Sequence, residues 1–318
     1  MSQTDQNLKR QMFFSSLSIK INRCLAPSGT CEEPAIRAHS VQNAAVMDLL
    51  HRDGHLKVTS LRVKGDNPPV MVWKDVGRNH ATTFEGFCSA HDTDLFRPID
   101  NKPFDEADQE QLFLYAYRAV ARELHALMEA AVKVQSLYQQ RIEAGIDSGN
   151  EPEHVGIVAV EHMMNAYSTY TYKTGLDEAL LAGRFDILKH VIVRLTNQPS
   201  TIAASVFFDL DTRPGREEPP RVALNIFPVS KNETVAIFSF TDADAEPVQE
   251  YIRGILEADG IYQKYLLSRM LLLHAENFVV APSVFDTWAQ EKCDAILNFF
   301  LKTLRFGSSE ESEHFYLF

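Results

Sequence analysis

Cys24-Leu-Ala-Pro-Ser-Gly-Thr-Cys31 sets two thiols across a Pro/Ser/Gly turn, and Cys88-Ser-Ala-His91 sets a thiol and an imidazole three residues apart. Three of the four cysteines fall in these two pairs; the fourth is Cys293. Thiolate and imidazole are the donors that a tetrahedral zinc ion takes, at ~2.0–2.3 Å. The turn inside the first pair bends the backbone so that both sulfurs can face one ion. Cys24, Cys31, Cys88 and His91 are therefore read as ligands of a structural Zn2+. The six-residue gap in the first pair exceeds the ~2–4 usual in zinc motifs. Three other readings stay open: the sulfurs as small core residues, a functional redox thiol, and a set in which His39 or His80 replaces one thiol.

Elements must bring these pairs together. Runs at 16–23, 56–63 and 70–75 have strand composition, and Gly65-Asp66-Asn67 between the last two reads as a hairpin turn. Val41, Ala45 and Leu49 recur at helical spacing over 41–50. A helix is expected to start near His91-Asp92-Thr93-Asp94, ahead of Leu95-Phe96. Knuckle, hairpin, then a helix bearing the last ligands is the layout of a treble-clef zinc finger.

His39 follows Cys31 by eight residues, in Ile36-Arg37-Ala38-His39-Ser40. Two cysteines, then Ala-His-Ser, then Phe87-Cys-Ser-Ala-His-Asp-Thr-Asp-Leu-Phe96 opening a helix resembles the HNH endonucleases of the His-Me finger superfamily. The resemblance covers about 75 residues. It implies that His39 is the general base that activates water against a phosphodiester. It implies that Asp92 holds a catalytic Mg2+ or Mn2+, and the nearby Asp94 could add a second carboxylate. Ala38 stands where many members have an acid, and Asn43 or Asn79 would have to supply the orienting asparagine. Lys57, Arg62, Lys64, Lys74 and Arg78 on or near the hairpin could meet the nucleic-acid backbone. The plainer readings are a solvated strand face for these cations, helix-start acids for Asp92 and Asp94, and a structural or zinc-ligating His39.

Charge divides the chain of 318 residues. The whole carries a formal −12, which by itself speaks against a phosphate binder. Residues 1–90 carry +3 and residues 91–318 carry −15. A mildly basic segment thus holds the proposed ligands, ahead of an acidic one. No apolar leader with a small-residue cleavage site opens the chain, and no run approaches ~18 apolar residues, so a cytoplasmic protein without a membrane partner is expected. In a reducing compartment clustered cysteines point to metal rather than disulfides. No phosphate loop, Gly-x-Gly-x-x-Gly or Gly-x-Ser-x-Gly occurs.

Behind the ligands, apolar residues at three- and four-residue steps predict helices over 106–144 and 155–183. Strand-like runs follow at 187–195, 202–210, 222–229 and 234–240, spaced as an antiparallel meander. Three helices, near 245–258, 260–275 and 283–304, close the chain before an acidic tail at 307–314. Tyr167-Ser-Thr-Tyr-Thr-Tyr172 reads as a helix-to-sheet packing surface, with base stacking as the alternative. The fold class is α+β: a zinc-stabilised treble-clef, HNH-like domain at 1–104, and a larger helical domain with a four-stranded antiparallel sheet at 105–318. The function expected is that of a metal-dependent HNH-like nuclease, possible in bacterial nucleic-acid defence. DNA or RNA would meet the first domain, and a protein partner or second copy the acidic one. The alternative is a non-catalytic zinc scaffold whose acidic domain binds a protein or small ligand.

Overall fold

Short β-branched and aromatic runs set the strands, and longer stretches of 3.6-residue periodicity set the helices. In chain order the computed structural model has β1 (Ile36–His39), β2 (His55–Arg62), β3 (Val70–Gly77), β4 (Thr83–Phe87), α1 (Ser89–Asp100), α2 (Gln109–Glu143) and α3 (His154–Leu181). Then come β5 (Leu188–Thr196), β6 (Ile202–Asp209), β7 (Arg221–Ser230), β8 (Glu233–Thr241), α4 (Ala245–Glu257), α5 (Gly260–His274), β9 (Phe278–Val280) and α6 (Gln290–Phe306). The structure describes residues 8, 11–12, 14–27, 29–62, 70–148, 154–211, 216–306 and 316–318. The turn Gly65-Asp66-Asn67, Lys64 and the tail at 307–314 lie outside them.

The chain forms two units, each discontinuous in sequence. One gathers 1–38, 84–91 and 120–183; the other gathers 39–83, 92–119 and 184–318. A cut at residue 104 follows neither.

In the larger unit one seven-stranded sheet runs in the order β3-β2-β9-β6-β7-β8-β5. It corrects the four-stranded expectation. The meander β6-β7-β8 forms, but β5 crosses to the far edge and pairs with β8, Leu188 opposite Thr241. Three-residue β9 then joins β6 to the β2–β3 hairpin. The central strands are buried on both faces, which explains their near-continuous apolar runs. Val206, Leu224 and Phe238 face a core shared with Ile252 of α4, Leu267 of α5 and Ile296 of α6. On the opposite face Phe227 meets Tyr115 of α2, ring centroids 4.9 Å apart.

Two histidines sit in this unit as neutral groups. His190 bonds the Ser239 hydroxyl at 2.9 Å, and His274 stacks on Phe208 at 3.8 Å and bonds the Tyr251 hydroxyl. Burial pushes both imidazoles down to about 4. The unfolded chain takes up these protons below ~6.5, while the folded chain refuses them until near 4. Stability is therefore whole above that range and is lost as pH falls through it, by up to ~3 kcal/mol per histidine. Chemical denaturation at pH 7 and pH 5 is expected to show this loss, and His190→Gln/His274→Gln to remove most of it.

The smaller unit holds the two-stranded sheet β1–β4, the later part of α2, and α3. Gly156 of α3 approaches α2 closely: a Cβ there would lie 3.0 Å from the Tyr138 ring. The strand expected at 16–23 is not formed. Residues 14–17 are helical, and the extended piece after them is clipped to α2 by side chains. The Ile21 N–H donates to Glu129 Oε1 at 3.3 Å, and His125 Nε2–H donates to the Ile21 carbonyl at 2.9 Å. Those bonds satisfy the backbone without a neighbouring strand. The rings of Tyr167 and Tyr170 stand 66% and 56% exposed, so the packing surface expected there does not form around them. Among the described residues no helix is long and apolar enough to cross a membrane.

Candidate metal centre and active-site cavity

The segment from Cys24 to Cys31 precedes β1, and β4 leads straight into Cys88 and the first turn of α1, which carries His91. Leu25 N–H donates to the Gly86 carbonyl at 2.8 Å, so the knuckle is tied to the strand that delivers the second pair. The hairpin that frames these ligands is thus β1–β4. The β2–β3 hairpin lies within the chain inserted between β1 and β4 and belongs to the seven-stranded sheet. That corrects the sequence reading, and it accounts for the long gap between the ligand pairs.

One donor atom from each of Cys24, Cys31, Cys88 and His91 lies within 4.8 Å of all the others. Cys31 Sγ and Cys88 Sγ are 3.8 Å apart. His91 Nδ1 lies 3.4 Å from Cys24 Sγ and 3.3 Å from Cys88 Sγ. A tetrahedron with metal–sulfur bonds of ~2.3 Å and metal–nitrogen bonds of ~2.0–2.1 Å has S···S edges of about 3.8 Å and S···N edges of about 3.6 Å. These three edges match within a few tenths of an ångström, and the other three are no longer than 4.8 Å. This Cys3His set can hold a metal ion such as zinc. Neither His39 nor His80 belongs to it.

The surroundings fit that chemistry. Cys24 and Cys88 are buried, and the Cys88 N–H donates to Cys24 Sγ at 3.3 Å. Burial pushes the Cys24 thiol up to about 11. Burial also raises Cys88, but the His91 amide and the two neighbouring thiols outweigh it and hold Cys88 below its ordinary value. A coordinated dication would deprotonate all three thiols outright. Lys173 of α3 is buried close by and pairs with Asp177 at 2.6 Å. Burial lowers its ammonium, while Asp177 and Cys24 pull it back up.

His39 and Asp92 line one cavity of about 210 Å³, within the larger unit, together with Gln42, Asp100, Asn101 and Arg118. His39 ends β1. Its Nε2–H donates to the Arg78 carbonyl at 3.4 Å, which leaves Nδ1 as the basic nitrogen. Burial holds the imidazole below its ordinary value; the Arg78 carbonyl raises it in part and the Arg118 charge lowers it again.

The two acids differ. Asp100 is claimed by Arg118 in a bidentate pair, with N···O distances of 2.9 and 2.7 Å. Arg118 in turn lies over the Phe96 ring, 3.9 Å from its centroid. Asp92 has no such partner: among the described residues its buried Oδ1 makes no hydrogen bond. Burial raises its carboxyl, against the pull of Arg118. A buried carboxylate oxygen left alone is costly unless a cation or donor meets it. Asp94 is elsewhere, exposed and paired with Arg97 at 2.7 Å. Of the hairpin cations, Lys57 pairs with Asp75 at 2.9 Å and lies over the Phe285 ring, and Arg78 pairs with Asp48.

Sequence reasoning weighed Arg118, with Tyr115 and Tyr117, between base stacking and packing, but passed over Asp100 and its pairing with Arg118. Eighteen residues separate them, and no local motif joins them. The pair sets the charge in the cavity. Arg118→Met is expected to raise the His39 pKa towards its unperturbed value, read from the imidazole NMR titration. It should also cost ~1.5–3 kcal/mol of stability, because the partly exposed Asp100 loses its two charged hydrogen bonds.

Comparisons with protein-family models, with curated proteins and with solved structures find no match to this chain.

Proposed function

We propose that the chain is a metal-dependent phosphodiester hydrolase of the HNH kind, built on a structural zinc. The observation that carries the reading is the shared cavity, lined by His39 with a free basic nitrogen and by Asp92 with an unpartnered buried oxygen. Three further features support it. The strand β1 ends on the histidine, β4 pairs with β1, and α1 follows with the acid. The Cys3His set fixes the start of that helix, since His91 and Asp92 are consecutive residues. Zinc on three thiolates and one imidazole leaves a net charge of −1, and the ammonium of the Lys173–Asp177 pair interacts favourably with Cys24.

The chemistry divides among the residues. His39 Nδ1 takes a proton from water as the water oxygen bonds to phosphorus. The P–O ester bond then breaks, and the departing oxygen is protonated from solvent. Asp92 would hold a Mg2+ or Mn2+, which supplies charge neutralisation at the phosphate oxygens. Arg118, held over Phe96 and against Asp100, fixes the position of the second acid and keeps it out of the proton chemistry. Asn101 and Gln42 line the approach.

The test is direct. Purified protein is incubated with single- and double-stranded DNA and RNA in Mg2+ or Mn2+. Cleavage that stops without the added ion supports the reading. No cleavage of any of the four would leave the zinc scaffold as the account of the chain.

A further inference from the structure

We infer that a second cavity, beside the one holding His39, receives the base of an unpaired nucleotide, so that the substrate is single-stranded nucleic acid. The inference rests on the hydrolase reading above. The cavity has a volume of about 560 Å³, lies within the same unit, and shares Gln42, Ala44, Asp100 and Asn101 with the His39 cavity. A ligand can therefore extend from one into the other. The volume falls in the ~300–1,000 Å³ range of small-molecule sites.

The wall dictates the ligand. Phe104, Tyr115 and Phe227 form one aromatic cluster, with centroid separations of 4.9, 5.7 and 6.2 Å. Tyr115 and Phe227 are buried, and Phe104 is half-buried. The rest of the wall is small or aliphatic, with Ala44 and Ala45 exposed at the rim. A flat, unsaturated group suits such a slot. The polar groups lie on the wall shared with the His39 cavity. Gln42 is fixed there by donating to the Asp100 carbonyl at 2.6 Å, and the Asn101 amide adjoins it. Amides at that wall match a ring whose edge carries donors and acceptors. Lys102 lines the same cavity, and Arg118 the adjoining one. A planar ring with a hydrogen-bonding edge, joined to an anion that reaches His39 and Asp92, is a nucleotide. A base within a duplex has its faces stacked and its edge paired, so it must come out of the helix to enter. Every base has a π-face, so the slot accepts any of them.

Binding is measured by fluorescence anisotropy without added Mg2+ or Mn2+, so that cleavage does not interfere. The probes are short DNA and RNA single strands, the matching duplexes, and a base-free sugar-phosphate strand of equal length. The wild-type protein is expected to prefer the base-bearing single strand over the base-free one by about 5- to 150-fold, the worth of one base–aromatic stack. Phe104→Ala should abolish that preference and Phe104→Tyr should keep it. Ala45→Trp, at an exposed position, should fill the slot and abolish it without disturbing the core. Equal affinity for base-bearing and base-free strands overturns the inference. So does a duplex that binds as tightly as the single strand, or a preference that survives Ala45→Trp. The two readings separate cleanly. Cleavage without base preference defeats the pocket and leaves the hydrolase. Base preference in a protein that cleaves nothing leaves the pocket and defeats the hydrolase.

Discussion

Cys88→Ser is expected to strip the protein of its zinc and to lower the unfolding midpoint of the smaller unit by roughly 10–20 °C. The wild-type protein should carry one zinc per chain by atomic absorption, and the variant close to none. The argument is geometric. Cys88 Sγ is 3.8 Å from Cys31 Sγ and 3.3 Å from His91 Nδ1, so its loss removes one vertex, and with it three edges, of the ligand tetrahedron. A serine hydroxyl at that position is a hard, poorly acidic donor, and its oxygen stands short of where the sulfur reached. Structural zinc contributes ~10–16 kcal/mol in isolated zinc-finger peptides at neutral pH. Losing about a third to a half of that, ~5 kcal/mol, gives the shift stated. Cys293→Ser serves as the control. That thiol is buried in α6, outside the cluster, and its loss should leave the zinc content at one. A wild-type protein that purifies without zinc, or a Cys88→Ser midpoint equal to that of the wild type, would sink the metal centre. The nuclease proposal would then lose the frame that holds Asp92.

How far the sequence foretold this follows from the range of the interactions involved. The ligands were legible because each is a rare residue type within a few positions of its partner. The long helices were legible because burying one stripe imposes a period that survives any context. The strands β6, β7 and β8 were legible as apolar runs, but their neighbours were not. Which edge β5 takes, and that β9 bridges to the hairpin, depends on packing between residues far apart in the chain. The strands β1 and β4 escaped notice because they are four and five residues long and mix Arg, His and Glu with the apolar positions. The extended piece near Ile21 misled for the opposite reason. Its alternation suits a strand, yet Glu129 and His125 take its backbone groups first. In the cavity, His39 and Asp92 were found through a short motif. The pairing of Asp100 with Arg118 was missed because it exists only once α1 and α2 have packed.

His39→Ala is expected to cut cleavage by ~100- to 10,000-fold, the usual worth of a general base, while zinc content and fold stay as in the wild type. The pH profile distinguishes this from a merely structural loss. A protonated imidazole cannot accept a proton, so the rate must fall as pH drops through the pKa of His39. Burial holds that pKa below 6.5, so the base form is already complete at neutral pH and the acid limb lies in the range beneath 6.5. In His39→Ala the residual rate should lose that limb. Arg118→Met should move the limb upward instead, because the guanidinium is one of the groups that depress His39. Asp92→Asn has a different signature. It keeps the size of the side chain but not its charge, so it should raise the Mg2+ or Mn2+ concentration needed for half-maximal rate and leave the limb in place. A catalytic role for the cavity requires all three behaviours together. A rate that survives His39→Ala, or a limb that stays fixed in Arg118→Met, would place the chemistry outside this cavity. If His39 serves only to close β1 against the Arg78 carbonyl, His39→Gln should restore the fold and also the activity. If it is the base, His39→Gln should keep the fold and stay as inactive as His39→Ala, since an amide has no proton-accepting nitrogen at any pH used.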